Sequence, residues 1–394
     1  MKILYLAPEI GFSGAHGGTA HVVGRLTSLS RLGHDVIAVV KRETGQRWIE
    51  KKQTLTLLRV PLVEIPLVKQ FLYLLFSLLL SVFYLFLGRI DLVYERGRIF
   101  GGVGVVLASF VGVRSVYEMN EPYPDIPVLL GEYDEHSIMM RMVRWWHMSV
   151  VKRASLVTVT HESLIRHGLA PREKSLVVTY GVDAERFSSV SGKRVRKRYH
   201  LGKKFVVLYT GSFAPWHACD QLLRAAAQVV KKNNNVLFLM VGDGGRSSSC
   251  RSLVEHFKIQ DHVLFTGAIP YEEIPSYVAA ADVCVALFDR TYPPFHKYSF
   301  FYSPMKIHEY RAAGKPIIAS SFGNLKKLVI PHKNGLLVHE HDTSAISNAI
   351  LHFAQHPRLC QQIGRWNKEQ ARRSYSWDSL NQALLHAVEI SSSR

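Results

Sequence analysis

Residues 303–316, SPMKIHEYRAAGKP, contain a single acidic side chain, Glu309. The segment reads as a helix. Ser303 suits an N-cap, Pro304 a first-turn position, and Gly314-Lys315-Pro316 a stop before the strand-like IIAS. A capping-box glutamate would stand at 306, where there is a lysine, so Glu309 does not cap its own helix. A helix start at Ser303, Pro304 and Met305 offers free N–H groups suited to a phosphate. Glu309 then lies roughly 9 Å further along the axis. That is the reach from a nucleotide's diphosphate to its outer ribose hydroxyls, and a carboxylate there accepts from both. Lys306 adds a cation on the phosphate side. The competing reading is a solvated glutamate on a helix surface.

A second candidate is the loop GFSGAHGGTAHVV, 11–23, where Gly14, Gly17 and Gly18 lie between a first strand and a helix. Small residues there let backbone N–H groups approach an anion, and the helix dipole adds to the attraction. The alternative is a tight turn without a ligand. Gly242 opens GDGG after another strand, which alone is a weak nucleotide signal. Several chemistries are missing from the sequence. It has no GxSxG nucleophile elbow, no Walker lysine loop and no HExxH. HEHD at 339–342 and the pair His352/His356 have ligand-like spacing but fall in an exposed-looking region, and no metal is expected.

These residues need elements to hold them. The first half alternates strand and helix: strands at 2–7, 35–40, 54–60, 91–95, 113–119 and 155–160, helices at 18–32, 69–88, 100–111 and 135–152. A second alternation starts at KFVVLYTGS and runs to a helix at 343–354, and WDSLNQALLHAVE reads as one more helix. Two Rossmann-like doubly wound α/β domains follow, 1–187 and 188–374, with 375–394 as a terminal helix crossing back to the first. Such domains bind ligands in a cleft at the carboxyl ends of their strands.

The segment 71–88, FLYLLFSLLLSVFYLFLG, is uncharged and about 27 Å long as a helix. That approaches a membrane span. Tyr73, Ser77, Ser81 and Tyr84 form one weakly polar stripe on it. The strands of one sheet precede and follow it, so a span would divide that sheet across a bilayer. It reads instead as a helix packed on its sheet whose apolar outer face meets a membrane surface. RMVRWWHMSVVKR, 141–153, has the aromatics and cations of an interface, or of a surface helix with buried tryptophans.

The chain has 394 residues, enough for two domains, and a net charge of +18. Nucleic acid, an anionic membrane face or a phosphorylated substrate could each draw on that charge. KRVRKRYHLGKK, 193–204, is the densest basic run and reads as a solvated linker. No nucleic-acid-binding motif accompanies it, and no nucleic-acid partner is expected. Cys219, Cys250, Cys284 and Cys360 show no CxxC pairing and read as reduced structural thiols of a cytosolic chain. MKILYLAPEIG reads as a first strand rather than a leader.

Seven segments in order carry a family resemblance: GGTAHVVGRLTSLSRLGHDV (17–36), YGVDAERF (180–187), LYTGSFAPWHACDQLLRAA (208–226), LMVGDG (239–244), VLFTGAIPYEEIPSYVAAADVCVAL (263–287), SPMKIHEYRAAGKPIIAS (303–320) and NGLLV (334–338). Over nearly its whole length the sequence resembles the retaining glycosyltransferases of family 4, with the two-domain GT-B fold. The resemblance implies a nucleotide diphosphate sugar as donor, a ribose-binding role for Glu309, and transfer to an acceptor hydroxyl with retention. It also implies a front-face route without a metal or other cofactor, in which the leaving diphosphate takes the acceptor's proton and the protein stabilises the growing charge. Gly17 and Gly18 would lie near the phosphate or the acceptor.

The sequence departs from the family in places. The first of two carboxylates spaced eight apart is Phe301. Ser212 and His217 stand where an arginine and a lysine commonly grip the diphosphate, leaving helix N–H groups, His217 and Lys306 to do that work together. Asn120 stands where a strand end often carries histidine, and it can hydrogen-bond the donor sugar but not act as acid or base. A lipid-linked acceptor, an anionic membrane surface and a cytoplasmic location on the inner face of the membrane are the expected setting. Two alternatives stay open. One is a catalytically silent relative that binds membranes or partners. The other is an inverting enzyme using Glu118 or Glu121 as base.

Overall fold

A computed structural model of the chain describes residues 1–14 and 17–391. It contains two compact units: Met1–Tyr180 with Phe301–Ser303 and Trp377–Arg394, and Gly181–Phe300 with Pro304–Ser376.

The first unit is built on an eight-stranded sheet, β1 (Lys2–Gly11), β2 (Asp35–Lys41), β3 (Ile49–Lys52), β4 (Leu55–Val60), β5 (Leu92–Arg96), β6 (Arg114–Met119), β7 (Leu156–Val159) and β8 (Ser175–Val177). Its order is β3-β4-β2-β1-β5-β6-β7-β8. All pairings are parallel except β3 with β4. Parallel strands are covered on both faces, which is why ILYLA, VIAVV and LVY are continuous apolar runs rather than alternating ones. On one face α1 (Gly17–Arg31) packs with the C-terminal helix Trp377–Ser391. Buried Arg25 of α1 donates to Asn381 at 2.9 Å, and Asp378 accepts from Ser28 and Arg31.

On the other face lie α2 (Pro66–Leu87), α3 (Val103–Phe110) and the helix Ile138–Arg153. Glu95, buried at the end of β5, accepts from the N–H groups of Gly102 and Val105 at the start of α3 and from Tyr73 of α2. A carboxylate on a helix N-terminus is electrostatically favoured. Close packing here needs small residues: a Cβ on Gly104 would stand 3.1 Å from Ser81 Oγ and 2.2 Å from Leu6.

The second unit holds a six-stranded parallel sheet of β9 (Phe205–Thr210), β10 (Val236–Val241), β11 (Val263–Gly267), β12 (Val283–Ala286), β13 (Ile317–Ser320) and β14 (Gly335–Val338). The order is β11-β10-β9-β12-β13-β14, a doubly wound arrangement.

Some expectations are corrected. The edge strands β3 and β8 and the helix Pro357–Ser374 are additions to the sequence reading. The basic run is not an irregular linker. Lys193–Arg198 is a short helix with Val195 buried and Arg196 donating to Asp282 at 2.7 Å, while Lys193, Arg194, Lys197 and Arg198 are exposed as expected. Ser303 is not a helix cap. Its hydroxyl accepts from the Tyr180 N–H at 2.8 Å and pairs with Thr179 at 2.7 Å, so it belongs to the first unit. The helix begins at Met305, with Pro304 in extended backbone at the capping position and no side-chain cap.

Candidate functional site

In the second unit the site forms on the helix Met305–Ala312, which is buried on nearly every side. Tyr310 fixes its register: the phenol oxygen accepts from the Thr210 N–H at 2.9 Å at the end of β9. Arg311, on the same turn, donates to the Leu328 carbonyl at 2.6 Å and stacks on Tyr375 at 4.0 Å. With the helix so anchored, Lys306 is placed beside the loop that leaves β9. A Cβ on Gly211 would stand 2.8 Å from Lys306 Nζ, and Gly211 holds a φ of +132° that disfavours other residues. The ammonium lies 4.3 Å from the Tyr209 ring centre and 5.3 Å from that of Phe288. It is buried and has no hydrogen-bond partner among the described residues. Burial lowers its pKa to about 8, with Glu309 opposing the shift.

Glu309 follows one turn later. It is 6% exposed, which removes the reading of a solvated surface glutamate. Burial raises its carboxyl to about 7, partly countered by a hydrogen bond from Tyr271 and by the charges of Lys306 and Arg186. Arg186 lies over the Tyr271 ring at 5.2 Å. One helix therefore presents a cation without a hydrogen-bond partner among the described residues and a buried carboxyl one turn apart, the polarity a nucleoside diphosphate requires.

The Ser212 carbonyl accepts from Tyr209 Oη at 2.7 Å and from His217 Nδ1 at 2.6 Å, while the Ser212 side chain is exposed. Burial and the Lys306 charge hold His217 well below the ordinary histidine value. In this state it is neutral, so the expected share of diphosphate charge falls to Lys306. Gly242 plays a different part from the one expected. Its N–H donates to the Gly267 carbonyl at 3.0 Å, and a Cβ would stand 2.0 Å from the Gly211 carbonyl oxygen. It lets two strand-end loops touch and has no N–H left for a ligand.

The first unit gathers a second set. α1 opens at Gly17, where a Cβ would meet nothing within 4 Å, and Gly18 lies near Ile10 and Arg96. Ala15 and His16 of the same loop fall outside the described residues. Asn120 is buried just past β6. With its amide oxygen toward Arg96 Nη1 at 3.1 Å, its nitrogen donates to Tyr180 Oη at 2.9 Å and faces Glu118 at 3.3 Å. Its polar atoms are thus engaged rather than free. Glu118 takes a contact from His21 Nε2 at 2.6 Å, with Arg25 at 3.9 Å. Burial opposes its ionisation, yet His21, Arg25 and Arg96 hold it below the usual carboxylate range. That unsuits it as a base. Glu121 is raised by burial and accepts from Tyr302 at 3.3 Å. Phe301, where the family has its other carboxylate, is fully buried.

The residues that sequence reasoning missed are Tyr271, Arg186, Tyr209 and Phe288 in the second unit, and Arg96, Tyr180 and His21 in the first. Arg186 lies inside the quoted YGVDAERF, but nothing in its spacing pointed to Tyr271. The histidine-rich segment yields no metal site. Glu340 is paired with Arg290 and His341 with Asp289, and no three His, Cys, Asp or Glu side chains converge among the described residues.

Two parallel-sheet Rossmann-like units of this kind define the GT-B class of glycosyltransferase folds. Sucrose-phosphate synthase from Thermosynechococcus elongatus superposes with a TM-score of 0.75 at 20% identity, covering 99% of both chains. The family profile "Glycosyl transferases group 1" matches residues 193–370. The chain is 30% identical over 314 residues to a D-inositol 3-phosphate glycosyltransferase of Saccharomonospora viridis, covering 76% of this chain and 69% of that protein. It is 29% identical over 308 residues to the Streptomyces avermitilis protein of the same name, covering 74% of this chain and 63% of the other. The match thus spans less than two thirds of that relative's length. The chain belongs to the group 1 glycosyl transferases.

Proposed function

We propose that the protein transfers a sugar from a nucleotide diphosphate sugar to an acceptor hydroxyl with retention of configuration. The observation that carries this reading is the buried ammonium of Lys306, which meets two aromatic faces but no hydrogen-bond partner among the described residues, one turn before the buried carboxyl of Glu309. An isolated cation in an apolar surrounding is costly unless an anion completes it, so a ligand diphosphate is the natural partner. Glu309 exchanges its Tyr271 hydrogen bond for the ribose hydroxyls. As the anomeric carbon–oxygen bond breaks, the leaving diphosphate gains charge beside Lys306 and takes the acceptor's proton while the new glycosidic bond forms on the same face. Bound diphosphate draws His217 toward its charged form, adding a second donor. Asn120 serves the donor sugar once it releases Arg96 or Tyr180, and Gly17 and Gly18 serve the phosphate or the acceptor. No metal or other cofactor has a part in this scheme.

The name shared by the relatives above supports a phosphorylated acceptor, and the exposed apolar side chains of α2 support a lipid-linked one. We place the protein in the cytoplasm at the inner face of the membrane, in glycolipid or envelope polysaccharide synthesis. The test is incubation of purified protein with uridine and guanosine diphosphate sugars and a panel of inositol phosphate and lipid-linked acceptors, with the product anomer read by NMR. A product that keeps the donor's anomeric configuration, formed equally with and without chelator, is expected. An inverted product or a chelator-dependent rate overturns the mechanism, and no turnover of any donor overturns the activity.

A further inference from the structure

The helix α2 is built inside out. Its weakly polar stripe turns inward: Tyr73, Ser77 and Ser81 are buried, with Tyr73 bonded to Glu95. Its outer side carries Phe71, Leu79, Phe83, Phe86 and Leu87, the last two 68% and 73% exposed. A helix on a water-facing layer ordinarily shows the reverse pattern. The surface does not end with α2. α3, packed beside it, closes on Phe110 at 74% exposure. The helix Ile138–Arg153, packed on α3, adds exposed Ile138, Met142 and Trp145. A continuous apolar side of this size on a folded layer marks an interaction surface.

Charge on the same layer selects the partner. α2, α3 and the helix Ile138–Arg153 contain no acidic residue, and the last carries Arg141, Arg144, Lys152 and Arg153. Arg144 is engaged by Asp125 and Glu135, and Lys69, at the start of α2, by Glu64. Arg141 and Lys152 are exposed, as is Arg89 just after α2. Apolar side chains with exposed cations and an exposed tryptophan match the boundary of an anionic bilayer. A span is a different matter. Val68–Leu87 is long and apolar enough to cross a membrane. It nevertheless connects β4 to β5 of one continuous sheet, and β5 is hydrogen-bonded to β1. Crossing would tear that sheet.

We infer that the outer side of the layer formed by α2, α3 and Ile138–Arg153 seats the protein on an anionic lipid surface, with α2 lying in the plane of the interface. This deepens the membrane placement proposed above and rests on it. Because Tyr73, Ser77 and Ser81 are buried against the first unit, the side left for lipid to cover is that of the Phe and Leu side chains.

The test is flotation of the full chain with vesicles of phosphatidylcholine, with and without phosphatidylglycerol, at low and high salt. Binding to the anionic vesicles at low salt is expected. Phe83→Glu with Phe86→Glu should weaken it by about tenfold or more, and each of Arg89→Glu and Arg141→Glu by about fivefold. All these positions are exposed, so the variants should keep the wild-type melting temperature. Glu309→Gln should bind vesicles like wild type, which separates this surface from the donor site. Indifference to anionic vesicles, while transfer to a soluble acceptor persists, overturns the docking surface and leaves the transfer reading standing. A dimer in lipid-free solution that Phe86→Glu dissociates assigns the face to a second copy and overturns the lipid partner. Retention in vesicles through alkaline carbonate washing means a true span and overturns the in-plane seat.

Discussion

Glu309→Gln should make the empty protein more stable while making it a poorer binder. The carboxyl rises from its ordinary 4.5 to about 7 on folding, first because of burial. A raised carboxyl binds its proton more tightly in the folded state, so stability falls as pH climbs through the interval from 4.5 to about 7 and stays low above it. The rise corresponds to about 3 kcal/mol at most. Glutamine never ionises and can still accept from Tyr271. Removing the carboxylate also removes an attraction for Lys306, which cancels part of the gain. The net expectation is about 1–2 kcal/mol near pH 8, or about 3–6 °C in the Tm of a unit of this size, fading toward about pH 5. Scanning calorimetry of both proteins at the two pH values measures it. Saturating nucleoside diphosphate should reverse the order, since wild type gains more from the ligand. An unchanged or lower Tm at the higher pH would refute the claim that Glu309 is held at a thermodynamic cost for a ligand's benefit.

Lys306→Met fills similar space without charge and should lower kcat by about a hundredfold or more while leaving the fold intact; an effect under about threefold would remove Lys306 from the chemistry. Nitrogen NMR of labelled histidine should find His217 neutral, with the proton on Nδ1, at neutral pH in the empty protein. It should move toward the charged form on addition of uridine or guanosine diphosphate, and a charged ring before addition contradicts the assignment. Glu121→Gln distinguishes retention from inversion: the retaining route loses less than about tenfold, whereas an inverting base would lose several orders of magnitude.

Much of the architecture was legible because parallel sheets write themselves as unbroken apolar runs, as in ILYLA and FVVLYT, with helices between. The edge strands were not. Ile49–Lys52 reads IEKK, charged as an exposed edge is, and Ser175–Val177 is only three residues long. The basic run at 193 looked like a linker because its buried anchors, Val195 and Leu201, are lost among exposed cations, and the acid that pairs with Arg196 is Asp282, far away in sequence. Glu309 was singled out from helix geometry, and the structure shows it buried. The Ser303 cap failed because a serine before a helix has other suitors, here the Tyr180 amide. Tyr271 was invisible, since its contact with Glu309 joins two elements of the tertiary fold. The polar stripe on α2 was visible as a period, but only packing could say that it turned inward.

Titration calorimetry of uridine and guanosine diphosphate, each in ribose and 2′-deoxyribose form, against wild type and Glu309→Gln addresses the nucleotide site itself. The mutation should weaken the favoured ribonucleotide by about 10- to 100-fold, the value of a charged hydrogen bond. The 2′-deoxy form already lacks one of those bonds and should lose clearly less, a non-additivity that marks direct contact. Equal losses for the two forms, or none for either, would contradict the assignment of Glu309 to the ribose.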